Sequence, residues 1–335
     1  MPAHSGFRIL SLFHPTAMVS DLQEAATFYQ RVFGVTSLTI PYTAASRAYR
    51  SLTILGDVCI ENISPEQSHL SQFRMYTDII GNHWFFPCFY IADMQDALYR
   101  LHHRHRIRLT ESGTGNPVVG VTPGGSGRSL VFTHPGDTGI MWEFYEADQE
   151  WFQNSPLADP RKRPGWTLQP PDADDPLALG VLSHLTVVVR DPRAALHFLG
   201  DVCGGRVFAE SVDEAHGSRN TWVTLGDDPV TVELAVPLRD GPRQRDLDRV
   251  GNTAHSLTFT VRDLDRARKH LVSKGLAFEL STERLLVSDP RTSLGLRLGF
   301  CQGFPDGDPR SQSKGRGHDH PAEPANRERM KGPSR

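Results

Sequence analysis

The chain has 335 residues, enough for two domains, and its 38% hydrophobic and 22% charged residues are typical of a globular protein. A formal net charge of −3 offers no basic field, so neither nucleic acid nor a membrane surface is predicted as a partner. The N-terminal residues lack the apolar core of a secretory signal, and no apolar run approaches the roughly 20 residues that span a bilayer. We therefore expect a cytoplasmic protein, with its four separated cysteines as free thiols.

The first structured stretch, from Phe13 to Gly34, predicts a short strand carrying His14 and then an amphipathic helix. Apolar residues recur at helical spacing between Leu22 and Phe33. Ser20 is placed to cap this helix at its start, and Gly34 to end it in the left-handed conformation.

The same pattern occurs four times along the chain. An aspartate follows each predicted strand and precedes each helix, and these aspartates are 72, 98 and 72 residues apart: Asp21, Asp93, Asp191 and Asp263. Short β-rich runs follow each helix, so each unit is predicted as one strand, one helix and about three strands.

Equal spacing within each half predicts two domains of two units each, separated by a proline-rich stretch. The predicted limits are a first domain at 1–148 (units 9–70 and 82–148), a linker at 149–178, a second domain at 179–301 (units 180–238 and 253–301) and a disordered tail at 302–335.

Four such units, with His14 before the first helix and an acidic residue near the last strand, resemble the vicinal oxygen chelate superfamily. That group includes glyoxalase I, methylmalonyl-CoA epimerase, bleomycin resistance proteins and extradiol dioxygenases. The resemblance implies an α+β fold of four βαβββ modules forming two cupped, mixed β-sheet domains with flanking helices. It also implies one divalent metal ion, of the Zn, Fe, Mn, Ni or Co type, held by residues of the first and last strands.

Carrying the family's ligand positions onto this sequence gives a partly degenerate set. The first-strand position, seven residues before each aspartate, holds His14, Phe86, His184 and Ser256. The last-strand position holds Glu61, Glu143, Glu233 and Leu298. The predicted metal ligands are therefore His14, Glu61, Glu143, His184 and Glu233, because imidazole and carboxylate groups bind such ions well.

Two pairings of the units stay open at the level of sequence. If consecutive units pair, His14, Glu61 and Glu143 share one site and His184 and Glu233 another. If the first unit pairs with the third, His14, Glu61, His184 and Glu233 form a two-histidine, two-glutamate set.

The leading functional prediction is a metal-dependent enzyme of glyoxalase or epimerase type, which stabilises the enolate of a small oxygenated substrate. Glu61 or Glu143 is the predicted catalytic carboxylate that moves the proton. An Fe(II)-dependent ring-cleaving dioxygenase and a non-catalytic small-molecule binding or resistance protein are the alternatives, and assembly into a homo-oligomer stays open.

Overall fold

The computed structural model describes residues 7–43, 48–65, 72–110, 130–147, 159–163 and 165–312. The strands of the first half are β1 (Ile9–Met18), β2 (Ser37–Thr43), β3 (Ala48–Leu55), β4 (Val58–Pro65), β5 (His83–Ile91), β6 (Leu109–Thr110), β7 (Leu130–Thr133) and β8 (Glu143–Glu146). Those of the second half are β9 (Leu179–Val188), β10 (Arg206–Asp213), β11 (Ser218–Leu225), β12 (Val230–Pro237), β13 (Thr253–Val261), β14 (Phe278–Ser281), β15 (Leu285–Ser288) and β16 (Arg297–Cys301).

Seven α-helices accompany these strands in the described residues. They are α1 (Leu22–Phe33), α2 (Gln72–Ile80), α3 (Met94–Leu98), α4 (Pro135–Thr138), α5 (Arg193–Leu196), α6 (Pro242–Val250) and α7 (Leu264–Ser273). Helices α3 and α5 continue as π-helical turns at Tyr99–Arg104 and His197–Val202. No helix in the described part of the chain combines the length and apolarity needed to cross a membrane.

The strands form two mixed eight-stranded sheets, in the orders β2-β3-β4-β1-β5-β8-β7-β6 and β10-β11-β12-β9-β13-β16-β15-β14. In each unit the first strand lies parallel to the last, and the first strands of consecutive units pair antiparallel, as β1 with β5 and β9 with β13. The predicted α+β fold class is confirmed, and consecutive units pair. The first and third units contribute to different sheets.

Helix α1 begins one residue later than the sequence suggests. Its N-cap is Asp21, whose carboxylate accepts hydrogen bonds from the backbone N–H groups of Gln23 (2.6 Å) and Glu24 (3.2 Å). A carboxylate in this position also stabilises the positive end of the helix dipole, which the hydroxyl of Ser20 would not do. Asp93 and Asp263 cap α3 and α7 in the same way, whereas Asp191 lies one residue before Pro192, the N-cap of α5, and accepts a hydrogen bond from the backbone N–H of Arg193.

One continuous apolar core joins the two halves, and it contains buried side chains from both sheets and from helices α1, α3, α5 and α7. The rings of Phe33 and Phe300 meet across it at 6.4 Å. The indole N–H of Trp84 donates a hydrogen bond of 2.9 Å to the carbonyl of Arg297 in the other half.

Two short segments predicted as linker and tail are ordered parts of the repeat. Arg161, in a 3₁₀ turn at Pro160–Lys162, donates hydrogen bonds to the carbonyls of Leu12 and Phe13 in β1. Arg310, in a second turn at Pro309–Gln312, does the same to the β9 carbonyls of Leu182 and Ser183. These polar sequences contain too little apolar surface to predict order, and the hydrogen bonds from the two arginines hold them against the strands. Residues 313–335 lie outside the described residues.

Candidate metal centre

A bulge in β1 sets the position of the predicted ligand His14. Leu12 pairs with Phe89 and His14 with Cys88, so the bulge inserts Phe13 between two register pairs. Bulges redirect the side chains beside them, and here the rings of Phe13 and His14 lie 4.3 Å apart. The imidazole of His14 is only 4% exposed.

His14, Cys88 and Glu143 form one cross-strand row over β1, β5 and β8. Cys88 pairs with His14 on one side and with Glu143 on the other, and neighbours in such a row point to the same face of a sheet. One potential ligand atom from each of the three lies within 4.8 Å of the others, and all three residues are buried. The distance from His14 Nε2 to Glu143 Oε2 is 3.7 Å.

Hydrogen bonding orients the imidazole of His14. The hydroxyl of Thr16 donates to Glu61 Oε2 at 3.3 Å and lies 3.1 Å from His14 Nδ1. Since a hydroxyl has one proton, Nδ1–H must be the donor to the threonine oxygen, which leaves the lone pair on Nε2. That lone pair faces Glu143, as a metal ligand requires.

Glu61 approaches the imidazole from the other side, with Oε2 3.8 Å from His14 Nδ1. Its second oxygen lies 3.6 Å from Nε of Arg50, a mostly buried residue on β3 whose Nε–H makes no hydrogen bond within the described residues. The carboxylate of Glu61 therefore has a cationic neighbour, whereas that of Glu143 faces His14 and Cys88.

Burial shifts the protonation equilibria of the row. It lowers the pKa of His14 against the opposing effect of Glu61, so the imidazole is neutral. Burial and, next, the charge of Glu61 raise the pKa of Glu143 to about 8. Burial, reinforced by Glu143, raises the pKa of the Cys88 thiol well above its usual range. A neutral imidazole beside a carboxyl group that is costly to ionise without a cation suits a divalent metal ion, so the residues of the first half fit such an ion.

The corresponding glutamate of the second half forms an ion pair with an arginine. His184 Nε2 lies 3.8 Å from Glu233 Oε2, but the guanidinium of Arg243 on α6 contacts both oxygens of Glu233, at 2.9 and 3.1 Å. Asn220 and Thr186 each donate a further hydrogen bond of 2.6 Å to this carboxylate. Arg243 thus supplies the positive charge that a metal would bring, so we place no metal at His184 and Glu233.

Electrostatics in the second half agree with this internal ion pair. Burial acts to raise the pKa of Glu233, but Arg243, His184 and the hydrogen bond from Thr186 act together against it, and the pKa is lowered. Burial lowers the pKa of His184 to about 4, so this imidazole is neutral, and it packs edge-on against Trp222.

The fourth unit supplies no ligand, and strand register identifies the residues at the relevant positions. Thr258 pairs with His184 on one side and with Gly299 on the other. Thr258 therefore corresponds to Cys88, and Gly299 corresponds to Glu143. Leu298, predicted at the last-strand position, is instead a core residue. A Cβ added to Gly299 would collide with the Thr258 hydroxyl, so the fourth unit has no room for a side chain there.

His83 and His255, which the sequence places near the missing ligand positions, belong to a separate buried network. Asp246 on α6 bonds His255 Nδ1 (2.8 Å), His83 Nε2 (3.2 Å) and the guanidinium of Arg297 (2.6 Å). This network links the two halves and lies apart from the row of His14, Cys88 and Glu143.

Sequence reasoning missed Cys88 and Arg243. The position seven residues before Asp93 is Phe86, but the bulges between β1 and β5 bring Cys88, five residues before it, opposite His14. Arg243 lies on a helix between two units, where the repeat offers no guide. The sequence signal that could have identified Cys88 is the presence of a cysteine near the expected ligand position, Phe86.

Residues 183–284 match the model of the Glyoxalase/Bleomycin resistance protein/Dioxygenase superfamily. No curated protein matches the chain significantly. Among solved structures, a triple mutant of 4-hydroxymandelate synthase from Streptomyces coelicolor is similar over 88% of this chain and 93% of its own, with 14% identity and a TM-score of 0.63. That likeness shows the fold.

Methylmalonyl-CoA epimerase from Mycobacterium tuberculosis matches 40% of this chain and 93% of its own, with 21% identity and a TM-score of 0.36. The matched family model supports the resemblance drawn from the repeats over residues 183–284, and each of the two sheets contains strands from two consecutive units. Residues 183–284 are thus similar to this superfamily, and the chain shares its overall fold with 4-hydroxymandelate synthase.

Proposed function

We propose that this protein is a metal-dependent enzyme of glyoxalase or epimerase type, with one active site in the first half of the chain. The observation that carries the proposal is the neutral His14 imidazole, whose Nε2 lone pair faces Glu143 at 3.7 Å. Two ligand atoms of a tetrahedral zinc ion lie roughly 3.4 Å apart, so little movement is needed for both to bind one ion.

His14 and Glu143 hold the metal ion in this proposal. When bound, a divalent metal supplies Lewis-acid stabilisation of negative charge on the oxygens of a chelated substrate. The aromatic side chains of Phe13, Tyr90 and Tyr145 pack together beside Cys88 and exclude water from this side of the site.

Glu61 is the residue that moves the proton. It lies across the imidazole from Glu143, where Thr16 donates a hydrogen bond to one of its oxygens and Arg50 lies 3.6 Å from the other. This position leaves the carboxylate near the metal ligands and free to take a proton from the carbon beside a substrate carbonyl.

A ring-cleaving dioxygenase is the less favoured alternative. A two-histidine, one-carboxylate triad suits Fe(II) and oxygen, but the position that would hold the second histidine is Cys88 in one half and Thr258 in the other. A protein that only binds small molecules would not need the carboxylate of Glu61 beside the metal ligands.

Proton exchange tests the proposed function. The zinc-loaded protein is incubated in D₂O with a panel of 2-oxo acids, 2-hydroxy ketones and acyl thioesters, and deuterium incorporation beside the carbonyl is followed by NMR. We expect incorporation for at least one class, and a loss of about 100-fold or more in Glu61→Gln, whose amide cannot accept the proton.

Zinc content is measured in the same samples as the control. Glu61→Gln should keep its metal, because His14 and Glu143 are intact. Binding of metal no tighter than roughly millimolar, or exchange that is undiminished in Glu61→Gln, would contradict the proposal.

A further inference from the structure

We propose that Cys88 is a metal ligand, so that the centre is a histidine, cysteine and glutamate site selective for zinc-like ions. The inference rests on the proposed metal site and specifies its third protein ligand and its metal preference. Neither the repeat nor the superfamily resemblance predicted a cysteine at this position.

The strand register places Cys88 between the two other proposed ligands. Cys88 pairs with His14 across β1 and β5 and with Glu143 across β5 and β8, so its side chain lies between the two other ligands. Ligand atoms of the three residues already lie within 4.8 Å of one another. His14 is nine-tenths buried, and its Nε2 faces this group with the 3.7 Å approach to Glu143.

The other cysteines show what an ordinary buried thiol looks like in this fold. Cys59, on β4 of the same sheet, packs with Ile40 and Leu52 in an apolar cluster. Cys203 lies in the main apolar core. Of the cysteines, Cys88 alone belongs to a group of converging metal-binding side chains within the described residues.

The second half provides an internal comparison. The residue equivalent to Cys88 is Thr258, which faces Gly299, and Arg243 supplies a fixed positive charge beside Glu233. In this half, Thr258 and Gly299 stand where the first half has its thiol and its second carboxylate. In the first half no such arginine contacts Glu143 among the described residues, and the imidazole, thiol and carboxylate donors are all present.

Ligand chemistry sets the metal preference. A thiolate favours zinc and similar borderline ions, whereas Mg²⁺ and Mn²⁺ prefer oxygen ligands. Ligation replaces the thiol S–H bond of Cys88 by a sulfur–metal bond and releases the proton to solvent. Three protein ligands would leave the remaining coordination positions open for substrate oxygens or water, and Glu61 remains outside the ligand set.

X-ray absorption of the zinc-loaded full-length protein tests the proposal without a variant. We expect a sulfur neighbour at about 2.3 Å from zinc, together with nitrogen or oxygen neighbours at about 2.0–2.2 Å. Bound zinc with nitrogen and oxygen neighbours only would overturn the role of Cys88 and leave the proposed function standing. Failure to bind zinc at all would overturn both.

Cys88→Ser gives the second measurement, with Cys59→Ser as the matched control from the same sheet. Zinc affinity should fall by about tenfold or more in Cys88→Ser, and the cobalt-loaded variant should lose the near-ultraviolet absorption of a cobalt–thiolate bond. Cys59→Ser should keep both. Retention of the absorption in Cys88→Ser, or its loss in Cys59→Ser, would assign the thiolate elsewhere.

Discussion

At the scale of single residues, equivalent positions in the two halves have different charged partners. Glu61 and Glu233 occupy the same place in their sheets, yet Glu61 has Arg50 3.6 Å from one oxygen and Glu233 has Arg243 hydrogen-bonded to both. The sequence placed both glutamates and both histidines on strands, and the structure shows that all four are buried. It could not predict Arg243, because the contact joins a helix and a strand ten residues away through tertiary packing.

Removing Arg243 should leave a buried, uncompensated carboxylate. We expect Arg243→Met to lower the free energy of unfolding by about 3–5 kcal/mol, measured by urea denaturation. Arg245→Met is the matched control, since Arg245 is exposed on the same helix, and should change stability by about 0.5 kcal/mol or less. Equal effects of the two substitutions would contradict the buried ion pair.

At the scale of elements, the repeat predicted every unit because strand, capping aspartate and amphipathic helix recur together. Register was the weak point, since three bulges separate the pairs between β1 and β5 and shift the partner of His14 from Phe86 to Cys88. Because the side-chain period of a strand is two, this shift keeps the position on the same face of the sheet but replaces a phenylalanine by a cysteine at the site. Helix α6 lies between two units, so the repeat did not predict it. Its Arg243 and Asp246 form buried ion pairs in the second half.

The Asp246 network predicts a loss of stability in acid. Burial lowers the pKa of His255 to about 3 from its usual 6.5, and hydrogen bonds from His255 and His83 outweigh burial to hold the pKa of Asp246 well below its usual range. Between pH 6.5 and about 3, His255 binds a proton in the unfolded chain but not in the folded protein. Stability should therefore fall as the pH drops from about 6.5 towards 3, by up to about 1.4 kcal/mol per pH unit for this histidine.

Denaturant unfolding at several pH values measures this effect. His255→Gln, which keeps a donor near Asp246, should show a shallower decline between about pH 6.5 and 4 than the unmodified protein. His197→Gln alters an exposed histidine and should leave the decline unchanged. Parallel curves for the unmodified protein and His255→Gln would refute the assignment.

At the scale of the whole molecule, two halves of the same architecture share one core but divide the chemistry between them. The first half keeps His14, Cys88 and Glu143 in one row. The second half stabilises its own glutamate with Arg243, and its Asp246, which also bonds His255 and Arg297, contacts His83 of the first half. Sequence comparison of the units predicted this asymmetry in outline, because the fourth unit lacks both ligands.

Metal stoichiometry tests the central claim most directly. The full-length protein, freed of metal by chelation and then titrated with zinc, should bind one ion per chain. His184→Ala should also bind one ion, because we place no metal in the second half, and His14→Ala should bind none with comparable affinity. Two ions per chain, or full binding by His14→Ala together with loss of binding by His184→Ala, would contradict a single metal centre at His14.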